Sequence, residues 1–411
     1  MAVKEQLSGA AARPLWELRM GRSAGNMEAA AKEDAMNEKE ISELRRRLRA
    51  ERCGITHIRG CCVNETGELI SQFNQSLALM EQEEAETFLT LLKRALSGTL
   101  GKNLIDIAFT TGQVADSEEH RLLMSLRDSR LEDEEAVEAF FRLAAGGLEL
   151  EGNYLILLAH DTYDVPYRSR DGERQDDASS EVFSYILCAV CPVKPAKPAL
   201  SYRMNENVFR NRDVDWLVAP PETGFLFPAF DGRSTNLYNS LLYTRDSAED
   251  RRGFVEAVFH CTPPMPAEEQ KETFQTLLGE ALEEECSLDV VQAVREQFCE
   301  IIEEYKQDPE AGPPVLSKGA VKSVLKSCGV SDSHVVSFDE KYDGAFGADT
   351  ALVTRNLVDP RRIEVRTPDV AIQVAPERGD LLETRVIDGR KYILIRADEG
   401  VEVNGVQIHI D

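Results

Sequence analysis

His160-Asp161-Thr162-Tyr163-Asp164 is the densest set of chemistry-bearing side chains in the sequence, an imidazole with two carboxylates directly after the apolar run YLILLA at 154–159. If that run is a strand ending near His160, the set stands where α/β sheets offer ligand groups. His160, Asp161 and Asp164 are then first candidates for holding a divalent metal or for acid–base work in a hydrolysis. Polar residues after a strand are also common turn formers and caps, and this blander reading competes with the first. Cys188-Ala-Val-Cys191 has the spacing by which two thiolates share a metal or form a redox pair. Its context opposes both. The pair closes an apolar stretch, Pro192 and Pro195 discourage a following helix, and residues three apart on a strand face opposite sides. Further ligands would have to come from Cys53, Cys61, His57 or the His260-Cys261 pair. Cys188 and Cys191 are therefore weak metal candidates, read first as core thiols.

Three other segments invite comparison with known sites. Ser97-Gly98-Thr99-Leu100-Gly101-Lys102-Asn103 has the glycines and lysine of a phosphate-binding loop, but two residues separate the glycines and Asn103 replaces the magnesium-binding hydroxyl. A helix end and turn, with Gly98 as the cap, is the expectation. Val324 to Val335 has the pattern of a helix-turn-helix bent at Gly329 and capped by Ser331. Its second helix offers Asp332, Asp339 and Glu340, which suits structure better than contact with a polyanion. Arg45, Arg46, Arg47 and Arg49, with Arg52 and Arg59, make one dense basic cluster and a candidate binding surface for an acidic partner, for RNA, or for the chain's own acidic helices. No G-x-S-x-G, H-E-x-x-H or G-x-G-x-x-G occurs.

The elements that must position these residues follow from length and pattern. At about 150 residues per domain, the 411 residues make about two or three domains. Hydrophobic residues are 42% and charged residues 29%, the composition of a folded globular chain. Seventy-three acidic against 47 basic side chains leave a net charge of −26, which repels nucleic acid and anionic membranes and makes a protein the expected partner. No apolar run reaches the length of about 18 residues that a membrane span needs. The interrupted first twenty residues and nine cysteines, an odd number, suit the reducing cytoplasm. No cofactor is expected, a divalent metal being the one that the candidates leave open.

Residues 1–35 carry no periodicity and read as an extension. Lys32-Glu33-Asp34 can be encoded by a ribosome-binding sequence just before the Met36 codon, so translation is expected to begin there. Ile41, Leu44 and Leu48 then mark an amphipathic helix. Ile55 to Val63, the turn Asn64-Glu65-Thr66-Gly67, and Glu68 to Phe73 read as a hairpin. Helices follow through Ala85 to Leu96 and through Ala136 to Leu143, the latter stopped by Gly146-Gly147. Strands are expected at 153–160 and 181–191, joined by a mobile charged loop over 168–180, with further β-prone segments at 216–218, 224–230 and 237–243. Two long helices carry Phe274, Leu277, Leu278 and Ala281, and Val290 to Tyr305. Near the carboxyl end, Asp388-Gly389 and Asn404-Gly405 signal two-residue hairpins because both central positions need positive φ.

Six stretches resemble a known family. MNEKEISELRRR, SGTLGKN, HDTYDVP, YILCAVCPVKPAKPAL, GFLFPAFDGRSTNLY and VEVNGVQI are similar to a bacterial cytosolic family known as a domain of unknown function, over nearly all of 36–411. The resemblance implies a whole-protein match opening at Met36 and supplies no activity, cofactor or catalytic residue.

The expected fold is α+β: an extension over 1–35, a mixed N-terminal domain over 36–249, an acidic helical segment over 250–349 and a small C-terminal antiparallel β-sheet over 350–411. The leading functional expectation is protein binding or scaffolding. Its alternatives are a metal-dependent hydrolase using His160, Asp161 and Asp164, and nucleic-acid binding through Arg45 to Arg59.

Overall fold

A computed structural model describes residues 36–168, 174–197, 199–211, 215–249, 251–307, 314–348, 350–397, 400–403 and 405–409. The extension expected over 1–35 lies outside them. Helix α1 (Glu38–Arg47) starts in a reciprocal capping box: the Asn37 side chain accepts from the Lys39 and Glu40 N–H groups, and the Glu40 carboxylate accepts from the Asn37 N–H. The first hairpin is β1 (His57–Val63) with β2 (Leu69–Ser76). Next come α2 (Gln82–Arg94), β3 (Leu104–Ala108), α3 (Thr111–Asp116), α4 (Glu118–Asp128) and α5 (Glu134–Gly147). Two long strands, β4 (Tyr154–Arg168) and β5 (Arg174–Pro195), lead into β6 (Leu200–Arg203), β7 (Val208–Asn211), β8 (Trp216–Val218), β9 (Thr223–Phe227), β10 (Ala229–Asp231), β11 (Ser234–Asn236) and β12 (Asn239–Thr244).

The main sheet runs β2-β1-β4-β5-β9-β12-β3, each neighbouring pair antiparallel, and β8 joins the far end of β5. Both faces are buried, which explains why YLILLA is continuously apolar rather than alternating. Leu155, Leu157 and Ala159 enter a core with α1 and α2; Tyr154, Ile156 and Leu158 enter a second core with α4, α5 and α6 (Arg252–Phe259).

Three expectations are corrected here. Strand β4 does not end at His160 but runs to Arg168, and β5 starts at Arg174, so 168 and 174–180 of the stretch expected as a mobile loop are strand, with Arg168, Arg174, Gln175 and Ser179 in the pairing; 169–173 lie outside the described residues. Past His160, Tyr163 and Val165 of β4 and Phe183 of β5 still enter the core with α1 and α2, and beyond them Pro166, Tyr167 and Arg168 pair with Ser179, Gln175 and Arg174. Helix α2 ends at Arg94 with Ala95 as its cap, three residues before Gly98. Helix α5 continues through both Gly146 and Gly147 to a cap at Leu148. Gly147 serves packing instead: a Cβ there would lie 2.5 Å from the Gly253 carbonyl oxygen of α6, and a Cβ at Gly253 would lie 2.7 Å from the Gly147 carbonyl oxygen. Gly147→Ala is expected to force the two helices apart and lower the unfolding free energy by about 1–3 kcal/mol, read from the urea midpoint at constant slope.

Helices α7 (Ala267–Leu282) and α8 (Leu288–Gln307) are followed by β13 (Val315–Leu316), α9 (Lys318–Ser327), α10 (Asp332–Phe346), β14 (Leu352–Val353) and α11 (Thr354–Leu357). They close a third core around Phe274, Phe298, Phe338 and Tyr342. The helix-turn-helix is α9 and α10, bent at Gly329 with φ +81°. Asp339 of α10 holds Lys318 and Lys322 of α9 at 3.1 and 3.0 Å, so the second helix is tied to the first by its own acids. Ser331 precedes α10 but makes no capping bond.

The carboxyl-terminal β region is three separate antiparallel hairpins: β15 (Ile363–Arg366) with β16 (Ala371–Val374), β17 (Leu382–Ile387) with β18 (Arg390–Ile395), and β19 (Val401–Val403) with β20 (Val406–Ile408). Asp388 and Gly389 both have positive φ, +49° and +74°, as a tight two-residue turn requires. Asn404 of the second signalled turn lies outside the described residues. No helix among them is long and apolar enough to cross a membrane.

Candidate functional site

The sheet separates His160, Asp161 and Asp164. Neighbours on a strand point to opposite faces, and residues four apart stand about 13 Å from each other. His160 is buried and bonds Ser184 Oγ through Nε2 at 2.8 Å. Burial pushes its pKa below the usual histidine value, with Arg130 and Arg127 assisting and Asp161 opposing. Asp164 lies exposed on the hairpin arm. Because the sheet is antiparallel and the set sits in mid-strand, the convergence that a metal hydrolase needs at a strand end does not arise. Among the described residues no group of three or more His, Cys, Asp or Glu side chains could hold a metal.

Asp161 instead anchors a polar seam beneath α1. Only 1% exposed, it accepts from Gly54 N–H at 2.6 Å and Thr162 N–H at 2.9 Å on Oδ1, and from Tyr185 O–H at 2.7 Å on Oδ2, with Arg47 Nη2 at 3.4 Å. Arg47 also donates to the Thr162 carbonyl and lies over the Tyr163 ring, 4.1 Å from its centre. The Tyr163 hydroxyl donates to Glu43, which pairs with Arg233 at 2.5 Å. Arg233 N–H donates to Glu40 at 3.0 Å, completing a run from α1 across β4 and β5 to the β10–β11 hairpin. Burial raises both phenols: Tyr163 is pushed up to about 12, and Tyr185 lies well above the usual range.

Next to the seam, Asp106 of β3 has an enclosed Oδ1 with no hydrogen-bond partner. Burial first, then the charges of Asp231 and Glu40, push its carboxyl up to about 7. Glu40 is also raised, chiefly by burial, against the lowering bonds from Asn37 and Arg233. Nothing in the local sequence around Asp106, Leu-Ile-Asp-Ile-Ala, marks it as unusual; sequence reasoning passed over it for that reason.

The remaining candidates divide in the same way. Cys188 packs into the core of α4 to α6 and Cys191 into the core of α1 and α2, so they stand on opposite faces. Burial raises the Cys188 thiol well above its usual value and Cys191 to about 12, leaving both protonated and poor as ligands. The basic cluster is not one surface. Arg47 turns into the seam, and Arg59 is buried on the other face, donating to Glu134 at 3.0 and 2.7 Å and to the Leu131 carbonyl. Arg45 is half-buried; Arg46, Arg49 and Arg52 are exposed.

The largest feature that the sequence reading missed is an uncovered apolar face. In the β6–β7 hairpin, Tyr202 stands opposite Phe209 with ring centres 5.1 Å apart, and Leu200 continues that face. Leu200 is 71% exposed and Phe209 69%. Met204 in the turn and Trp216, Leu217 and Val218 of β8 are exposed as well.

A family model described as a domain of unknown function (DUF4317) matches residues 36–406. The chain belongs to this family. No curated protein and no solved structure matches it. Three of the stretches by which the sequence resembled a family meet at the seam of the DUF4317 fold: MNEKEISELRRR supplies Glu40, Glu43 and Arg47, HDTYDVP supplies Asp161 and Tyr163, and GFLFPAFDGRSTNLY supplies Asp231 and Arg233. The seam's charges are largely satisfied by one another, so its chemistry is that of a clamp fixing α1 to the sheet.

Proposed function

We propose that this protein works by contact, as a self-associating scaffold in the cytoplasm, and that the β6–β7 hairpin with β8 is its docking element. The uncovered face of Leu200, Tyr202 and Phe209 carries this reading. A two-stranded hairpin is marginal alone and gains most when its apolar face is covered. The occupant we assign is a second copy. Closed homo-oligomers are the commonest assemblies, and a twofold axis sets identical apolar faces against each other. Charge supports the choice: Lys194, Lys197, Arg203 and Arg210 surround the patch, against Glu206 and Asp215 among the described residues nearby, whereas the whole chain carries −26. A twofold contact sets this flank against its own copy, so two chains of net charge −26 meet at a place that is not itself acidic, where their general repulsion is least. Nine free cysteines support the reducing compartment.

Sedimentation velocity over about a hundredfold dilution of the full chain tests this. A concentration-dependent dimer is expected, weakened at least about tenfold by Tyr202→Ser with Phe209→Ser, since aromatic anchors dominate contact energies. Both side chains are exposed, so the thermal midpoint should hold. A single monomeric species throughout, or a dimer indifferent to the double substitution, would overturn the reading.

A further inference from the structure

A cleft of about 530 Å³ lies where the turn before β3, the start of α7 and α11 meet. Asn356, in its wall, is 6% exposed. Its Nδ2 gives one hydrogen to the Gly101 carbonyl at 2.8 Å and the other to Gln270 Oε1 at 3.1 Å. The Gly101 carbonyl can only accept, which fixes the orientation of the amide and leaves Oδ1 as its other group. Oδ1 has no partner among the described residues. A buried acceptor without a donor is unfavourable, and here it belongs to a residue that lines a cleft.

The same wall carries three cations, Lys102, Lys271 and Arg355, beside the carboxylates of Glu268, Glu272 and Asp359. Lys102 and Lys271 make no ion pair among the described residues. Arg355 is held rigidly beside them by Glu38 at 2.7 Å and by the Tyr305 ring, 4.9 Å from its guanidinium carbon. Helix α7 begins after Pro266, which makes no side-chain capping bond, and its first residues, Ala267 and Glu268, form part of the wall. The positive end of a four-turn helix therefore opens toward the lysines.

These groups make two opposite demands. Lys102, Lys271 and the helix end call for an anion, whereas Asn356 Oδ1, Glu268, Glu272 and Asp359 call for O–H or N–H donors. A phosphate ester on a hydroxylated skeleton answers both. We propose that this cleft is a binding site for a phosphorylated sugar, its phosphate toward Lys102 and Lys271 and a hydroxyl donating to Asn356 Oδ1. The volume falls within the range of about 300–1,000 Å³ usual for small-molecule sites. Ser97 to Asn103 thus contributes Lys102 as a point charge, without the geometry of a nucleotide-binding loop. A free sugar phosphate and the ribose phosphate of a mononucleotide share the chemistry named.

Titration calorimetry on the full chain with ribose 5-phosphate, adenosine monophosphate, inorganic phosphate and ribose tests the assignment. Ribose 5-phosphate is expected to bind, inorganic phosphate to bind at least about tenfold more weakly, and ribose not at all. Adenosine monophosphate binding more tightly than ribose 5-phosphate identifies a nucleotide as the source; weaker binding identifies a free sugar phosphate. Lys102→Ala with Lys271→Ala should weaken ribose 5-phosphate at least about tenfold. Asn356→Ala should remove the preference over inorganic phosphate, a readout that survives if the variant is less stable. No heat with any phosphate up to about 10 mM, or affinity unchanged in the lysine variant, overturns the proposal.

Discussion

Replacing Asp161 with alanine is expected to lower the unfolding free energy by about 3–5 kcal/mol, the cost of breaking a buried ionic group while leaving its partners in place. The carboxylate is 1% exposed and satisfies four donors from four places in the chain: Gly54 before β1, Thr162 in its own strand, Tyr185 in β5 and Arg47 at the end of α1. Removing it strands two main-chain N–H groups and a phenol, and leaves Arg47 with only the Thr162 carbonyl and the Tyr163 ring. Against a total stability of about 5–15 kcal/mol this is a large fraction. Asp161→Asn should cost less, about 1–3 kcal/mol. The two N–H donors hold the amide oxygen at the Oδ1 position, which turns the new NH₂ toward Tyr185, whose hydroxyl can accept, and toward Arg47, which cannot. Urea denaturation measures both, and limited proteolysis gives a second view. Freed from its clamp, the exposed stretch Arg49 to Arg52 should be cut sooner in Asp161→Ala than in the parent. Equal stability of the alanine variant and the parent would remove the clamp.

How far such a site is legible in sequence depends on the range of the forces that make it. The β1–β2 hairpin was readable because Asn64 makes its own turn, its side chain accepting from Thr66 and Glu68 N–H groups a few residues away. The Asp388-Gly389 turn was readable because both central positions of a tight turn need positive φ, which these two residue types adopt readily. Asp161 was noticed, but its role was not, because its partners Arg47 and Gly54 are 114 and 107 residues distant in the chain. Reading His160, Asp161 and Asp164 as one set assumed a strand that stopped. The strand continued because Tyr163 and Val165 keep one of its faces in the core with α1, while antiparallel pairing with β5 satisfies its main chain. The arginine cluster failed as a surface through the same kind of error. Proximity in sequence put Arg47 and Arg59 together, and the fold turned them into different faces of the sheet.

Asp106→Asn is expected to stabilise the protein above neutral pH and to flatten its pH profile. Burial raises the Asp106 carboxyl to about 7, and the charges of Asp231 and Glu40 add to the effect. In the unfolded chain an aspartate titrates near about 3.9. Between those two values the folded state holds a proton that the unfolded state has lost, so stability falls as pH rises across the window and is lowest above it. Glu40, raised mainly by burial, acts in the same direction. His160 opposes them: its pKa is lowered by burial, so the unfolded state binds the extra proton and stability falls as pH drops below about 6.5. The parent should therefore be most stable in mildly acidic solution. Asparagine keeps the shape of the neutral acid and cannot ionise. At pH about 4 the variant should match the parent closely, and at pH about 8 it should be more stable by about 2–3 kcal/mol, a discount on the full shift for the side chain's partial exposure. His160→Gln should remove the acid limb and leave the alkaline one, which separates the two groups. Thermal midpoints across pH about 4 to 8 decide the matter. An alkaline limb unchanged by Asp106→Asn would mean that Glu40 alone bears the burial cost, and that the charge of Asp106 is met by solvent rather than by the seam.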